Sequence, residues 1–160
     1  METPSQKMER LLADYDRTHD EALRRVMLSF GKRLRKMNNP VGRFLVANVS
    51  TRLMAALIVN LKLFGVEKKD GMTVEEIALN WLKPSVFFRI PGEVGEVTED
   101  RVEYLRPECT VGFSDPEDCK ICRASMNMDM EIIRRLGGKL TVTETILEGA
   151  PKCRHIIEKL

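Results

Sequence analysis

The sequence predicts an α+β fold, with N-terminal helices packed on an antiparallel sheet and one late helix before the last strand pair. Apolar residues recur at helical spacing in the first quarter of the chain. Short segments rich in β-branched and aromatic residues begin after residue 84. A capped amphipathic pattern then separates these segments from two alternating ones, which places a helix late in the sheet-forming half.

The length and composition predict one domain over residues 1–160, with a helical half at 1–84 and a sheet carrying a cysteine-bearing helix at 85–160. A chain of 160 residues buries about two thirds of its unfolded surface. Hydrophobic and charged fractions of 43% and 31% are typical of soluble globular proteins. The net charge of +2 does not indicate nucleic acid or membrane as a partner.

The N-terminus shows no signal-peptide pattern, which predicts a cytoplasmic protein. The most apolar run, residues 44–64, has nearly the length of a membrane span, but Arg52 and Lys62 interrupt it. A charge near the middle of a span costs roughly 3 kcal/mol on insertion scales. A buried core helix is therefore the expectation, with no membrane partner.

The first half contains three predicted helical stretches. One long helix or two broken ones extend from Lys7 to Met37, and the sequence before Pro40 ends them. An apolar helix follows over 43–64 and stops at Gly65. The next opens with a capping box and ends before a proline, as the residues Thr73, Glu76 and Pro84 indicate.

The second half reads as strands around one helix. The segments 85–90, "GEVTED" and 101–105 are predicted strands of a meander. Asp115 is the predicted N-cap of the late helix, with Pro116 at its first position and Gly137-Gly138 at its end. "KLTVTETIL" and "KCRHIIEKL" then form two paired strands around the turn "EGAP".

The four cysteines suggest a metal site. Their spacing is C-x9-C-x2-C-x30-C, and Cys119 and Cys122 share a helix face. Four thiolates suit zinc and an iron–sulfur cluster equally. Two alternatives remain open, which are ordinary buried cysteines and a redox-sensing dithiol at Cys119 and Cys122. The predicted metal ligands are Cys109, Cys119, Cys122 and Cys153.

His155 has several interpretations. It follows Cys153 by two residues, so in a strand both side chains point to the same face. The imidazole would replace one thiol as a ligand or hydrogen-bond a sulfur atom. A lone surface histidine is the slightly favoured alternative.

Residues 85–160 resemble the superfamily of 4-vinyl-reductase domains and L-2-amino-thiazoline-4-carboxylate hydrolase-like proteins. The shared features are a cysteine after the first hairpin, a cysteine-bearing helix, and a closing strand pair with Glu-Gly-x-x-x-Cys, here "LEGAPKCRHII". Cys119, Cys122 and Cys153 fall on the family's cysteine-bearing positions. Glu144 is near a family glutamate, but Leu147 stands where a thiol is expected, a role that Cys109 would take over.

This resemblance implies an α+β fold that often forms dimers. It also implies a small hydrophobic or aromatic ligand between helices and sheet, with a cysteine-rich zinc site beside that pocket. If there is a ligand pocket, Trp81, Phe87 and Phe88 are its expected ligand-binding residues, with Met54 or Leu57 completing the wall. Packing in the core is the favoured alternative for each of the three aromatic residues. A homodimer is expected from the apolar face of the long N-terminal helix.

Two functions are consistent with these patterns. The first is a metal- or iron–sulfur-binding domain protein that binds and senses a small molecule. The alternative is a hydrolase that acts on a small thiazoline or related C–N bonded heterocyclic carboxylate, with Cys119 or Cys153 as nucleophile and His155 as its partner. Whether the protein is an enzyme stays open, since the sequence contains no G-x-S-x-G or His-Glu-x-x-His motif. The basic cluster at residues 32–36 lacks interleaved aromatics, so no nucleic-acid partner is expected.

Overall fold

A computed structural model describes residues 3–15 and 21–160. Their fold is α+β, as predicted from the sequence, with helices mostly in the N-terminal half and a four-stranded antiparallel sheet in the C-terminal half. A late helix lies before the final strand pair.

Two helices occupy the stretch predicted as one long or two broken helices. Helix α1 spans Pro4–Tyr15 and α2 spans Glu21–Lys36, while residues 16–20, with His19, lie outside the described residues. Helix α1 docks on the core through Met8, which is fully buried. Helix α2 buries only Gly31 and Leu34, so it is a peripheral helix.

The apolar stretch after Asn39 forms one continuous helical rod in three parts. Helix α3 spans Pro40–Leu45, a π-helical turn spans Val46–Ser50 and α4 spans Thr51–Asn60. The Asn39 side chain caps the start of the rod by accepting a hydrogen bond from the Gly42 amide. By length and composition the Pro40–Asn60 rod could cross a membrane, although one such helix is weak evidence. Only 28% of its most apolar 18-residue stretch is buried, which is less than a core helix requires. The predicted buried core helix is therefore half exposed.

Helix α5 spans Val74–Phe87 and confirms the predicted capping box. The Glu76 amide donates to Thr73 Oγ1 at 3.2 Å, and the Thr73 amide donates to Glu76 Oε2 at 2.9 Å. The helix continues through Pro84, because a proline in the last turn removes only one intrahelical donor and the Phe88 amide still bonds the Pro84 carbonyl. The predicted strand at 85–90 is therefore wrong.

The sheet consists of β1 (Glu93–Val97), β2 (Arg101–Arg106), β3 (Gly138–Glu144) and β4 (Cys153–Lys159). Its order is β1-β2-β4-β3 and every neighbouring pair is antiparallel. Strand β4 is consequently central. In its register with β2, Tyr104 faces His155 and Arg106 faces Cys153.

Helix α6 (Cys119–Leu136) crosses the sheet after a short 3₁₀ turn at Pro116–Asp118. Asp115 caps that turn as predicted, and Gly137 ends the helix with φ of 96°. A large core fills the space between α4, α5, α6 and the sheet. A second, smaller cluster lies below α2 and contains Leu34, Val46, Phe113, Ile121, Cys122 and Ala124.

Candidate functional site

The four cysteines lie at the end of the sheet where α6 begins. Cys119 and Cys122 are in the first turn of α6, and Cys153 is the first residue of β4. Cys109 follows β2 and packs against the smaller core cluster. Cys122 and Cys153 are buried, whereas Cys109 and Cys119 are half-buried, and all four are free thiols.

The two buried thiols are held in their neutral form. Burial, together with negative charge on the other three thiols, raises the pKa of Cys122 to about 12. Burial also raises the pKa of Cys153, although the Ile146 amide opposes this by donating to its sulfur at 3.4 Å. The positive charge of Arg106 opposes both upward shifts.

These thiols do not form a ligand set. Within residues 3–15 and 21–160, no group of three or more His, Cys, Asp or Glu side chains is placed so that it could hold a metal ion. Cys119 lies instead beside Arg123 and Glu148, which pair with each other at the surface, and it helps to raise the pKa of Arg123 and to lower the pKa of Glu148. The prediction of a metal-binding cysteine cluster is therefore wrong. Zinc or an iron–sulfur cluster as the cofactor of this protein stays a prediction.

A buried polar cluster lies next to the thiols, between α5, α6 and the sheet. Trp81 Nε1 donates to Asp129 Oδ1 at 2.9 Å. Arg106 Nη1 lies 3.6 Å from Asp129 Oδ2, and both side chains are less than one-fifth exposed. The guanidinium carbon lies 5.2 Å from the Trp81 ring centroid and 5.9 Å from that of Tyr104. We call Trp81, Tyr104, Arg106, Asp129 and His155 the buried polar cluster.

His155 is fully buried in this cluster, so the favoured interpretation of a surface histidine is wrong. Its ring centroid lies 5.8 Å from that of Trp81 and 6.2 Å from that of Tyr104. Backbone groups of Tyr104 and Cys153 favour its protonation, but neither ring nitrogen has a hydrogen-bond partner of ordinary geometry. Burial, aided by the Arg106 charge, lowers the pKa of His155 to about 3, so the imidazole is neutral.

The structure separates the three aromatic residues predicted to line a ligand pocket. Trp81 belongs to the buried polar cluster, whereas Phe87 is 54% exposed. Phe87 and Phe88 stack instead with Phe64, at centroid distances of 4.8 and 5.1 Å. The other predicted wall residues also face away from a pocket, since Met54 and Leu57 are both exposed.

The sequence interpretation missed Tyr104, Arg106 and Asp129. Alternation in "RVEYLR" places Val102, Tyr104 and Arg106 on one face of β2, and the first two are apolar or aromatic. An arginine that continues an inward-facing series is the signal that could have been used, because a buried charge needs partners. Asp129 gives no such signal, since it is one of several polar residues along α6.

Comparison with family models, with curated proteins and with solved structures finds no match.

The resemblance to 4-vinyl-reductase and hydrolase-like proteins therefore stays a prediction. The geometry does not favour the hydrolase mechanism in which Cys153 is the nucleophile and His155 its base. A histidine with a pKa of about 3 is a poor base for a buried thiol whose own pKa is raised. In addition, His155 contacts Trp81 and Tyr104 rather than accepting a proton from Cys153.

Proposed function

We propose that the protein is a binding or sensing module for a small aromatic or heterocyclic molecule with a carboxylate or hydroxyl group. The ligand site is the buried polar cluster. The observation that carries this proposal is His155, a fully buried side chain whose two nitrogens make no hydrogen bond of ordinary geometry, although backbone groups of Tyr104 and Cys153 lie near it. Buried polar groups in native proteins are nearly always paired, so an unpaired one calls for a missing partner.

The polar groups and aromatic rings around His155 fit such a ligand. A neutral imidazole offers one donor and one acceptor. Arg106 adds charged donors, and its Nε also lacks a partner. The Trp81 and Tyr104 rings pack edge to face, with centroids 5.2 Å apart and an interplanar angle of 86°, and they supply apolar aromatic surface beside His155. A ligand with a planar ring would pack against the aromatic side chains, and its anionic or hydroxyl group would hydrogen-bond His155 and Arg106.

A ligand would reach the cluster beside α6, the helix that carries Asp129. Two clefts of about 170 and 180 Å³ flank this helix, and both are lined by Asn127 and Met130. Each is smaller than an ordinary pocket for a drug-sized ligand, and neither is lined by Arg106 or His155. The ligand is therefore small, and its entry displaces side chains, which would turn binding into a conformational signal.

Trp81 provides a direct test, because it is the only tryptophan in the sequence. Fluorescence titrations with benzoate, phenol and L-2-amino-thiazoline-4-carboxylate should give a saturable change for at least one of them. Arg106→Gln should weaken that binding about 10- to 100-fold, as loss of a charge-assisted hydrogen bond of about 1.5–3 kcal/mol implies. Arg154→Gln is the matched control, since Arg154 is on the neighbouring strand but 43% exposed.

Two results would contradict the proposal. One is the absence of any saturable change with all three probes. The other is equal affinity in the wild type and in Arg106→Gln. Chromatography of the thiazoline probe after incubation separates the hydrolase alternative, because a ring-opened product would support turnover rather than binding alone.

A further inference from the structure

The helical rod from Pro40 to Leu61 exposes a long apolar face. Its buried residues recur at Gly42, Val46, Thr51, Ala55 and Val59. These buried residues are four apart, except for Val46 and Thr51, which are five apart. The π-helical turn Val46–Ser50 lies at this point and accommodates the extra residue, so the same side of the rod stays on the core. The opposite side carries large apolar residues that are 37–69% exposed, and these residues define the apolar rod face: Val41, Phe44, Leu45, Val49, Leu53, Met54, Leu57 and Leu61.

The size of this face exceeds what a monomer normally exposes. The rod is about 30 Å long at 1.5 Å per residue. If each of the eight side chains offers on the order of 100 Å², the face provides about 800 Å², compared with 300–600 Å² for the largest patch on a typical monomer. About 800 Å² per partner is the contribution that a standard stable protein–protein interface requires.

We propose that a second copy of this chain covers the apolar rod face in a symmetric dimer. The main exposed ridge advances in steps of four residues, through 45, 49, 53, 57 and 61. A two-fold axis at Leu53 pairs the rod with its copy in antiparallel fashion. Leu45 of one protomer then lies opposite residue 61 of its partner, and Val49 opposite residue 57. The ridge is thus complementary to itself, as a two-fold interface requires.

The charge pattern favours a protein partner over a lipid surface. The rod from 40 to 61 contains no Asp or Glu, and its basic residues are Arg43 and Arg52 alone. A helix that lies on a membrane has a polar face rich in Lys and Arg beside its apolar face. In this rod, the other face is instead packed against α6 through Val46, Ala55 and Ile58. Insertion across a bilayer would remove that packing.

The test is the oligomeric state of the full chain in solution, measured by sedimentation and light scattering at about 1–100 μM protein. The wild type should have twice the mass of one chain. Leu53→Asp and Leu53→Lys should each be monomeric, since each places two like charges at the two-fold axis. A mixture of the two variants should restore the dimer, because opposite charges then meet. Val26→Asp is the control, since Val26 is 55% exposed on α2 and lies outside the rod.

Far-UV circular dichroism establishes that each variant is folded, which is expected because Leu53 is 58% exposed. A monomeric wild type over the whole concentration range would overturn the proposal. So would a dimer that persists in Leu53→Asp, or a mixture of the two charge variants that stays monomeric. Binding of a monomeric wild type to phosphatidylserine vesicles, lost in Leu53→Asp, would overturn it in favour of a membrane surface.

Discussion

His155 shows how the position of a single residue in the sheet changes its chemistry. The same residue at the surface would titrate near neutral pH. In the centre of the sheet, between Trp81 and Tyr104, it is neutral over the physiological range, because burial and the Arg106 charge disfavour the imidazolium. The side chain can therefore act as a hydrogen-bonding partner for a ligand but not as a pH sensor near pH 7.

Protonation of His155 in the unfolded chain should make the folded state less stable in acid. Its pKa is about 3 in the folded protein, below the ordinary value of 6.5, so unfolded chains take up a proton between these two values. The stability that this residue contributes is complete above pH 6.5 and is lost as the pH falls toward 3. Urea unfolding of the wild type and of His155→Gln should show their stability difference shrinking from pH 7 to pH 4. An NMR titration midpoint near 6.5 for His155 would contradict this expectation.

The thiols show at residue scale what a spacing pattern leaves undetermined. The C-x2-C spacing correctly places Cys119 and Cys122 in one helical turn. Whether Cys109 and Cys153 complete a ligand set depends on side-chain orientation across three different segments. Arg123 and Glu148 lie near Cys119, and the Ile146 amide donates a hydrogen bond to the Cys153 sulfur, and no spacing rule contains this placement.

Individual elements could be predicted where local chemistry decides their ends. Thr73, Asp115 and Gly137 act through hydrogen bonds or a backbone conformation within a few residues, and all three ends are where the sequence places them. The predicted end of α5 before Pro84 was wrong, because packing of α5 keeps the helix intact through a residue that normally ends one. The prediction of a buried helix was wrong for the half-exposed rod, since apolar composition does not distinguish a buried face from an exposed one.

The capping box of α5 should contribute measurably to stability. Thr73→Ala removes the acceptor for the Glu76 amide and should lower the free energy of unfolding by about 0.5–2 kcal/mol. Thr143→Ala is a matched control, because Thr143 is exposed on β3. Chemical denaturation of both variants checks the expectation. Equal losses in the two variants would show that the cap contributes nothing beyond a general threonine effect.

The whole molecule combines a firmly packed centre with a peripheral α2. Composition and hydrophobic period predicted the α+β class, because these signals depend on every element. The buried polar cluster was not predicted, because Trp81, Arg106 and Asp129 come from three elements whose packing is long-range. The attachment of α2 is long-range in the same way. Arg35 donates to both carboxylate oxygens of Asp118 at 2.9 and 3.0 Å and to the Gly112 carbonyl at 2.8 Å.

This attachment predicts how the molecule opens. Helix α2 buries only Gly31 and Leu34, so its amides should exchange with solvent faster than those of α5, which buries eight residues. Hydrogen exchange followed by mass spectrometry should show this order in the wild type. Arg35→Ala should accelerate exchange in residues 21–36 and 112–118 and leave α5 unchanged, because only the α2 contact is removed.

Arg33→Ala is the matched control for that measurement. Arg33 is exposed two residues earlier on the same helix, and its loss should leave the exchange pattern close to that of the wild type. Equal protection of α2 and α5 in the wild type would contradict the expectation, as would uniform acceleration across the chain in Arg35→Ala. If α2 opens separately, the buried Cys122 and the smaller core cluster beneath it become accessible without unfolding of the sheet, since Leu34 of α2 covers that cluster.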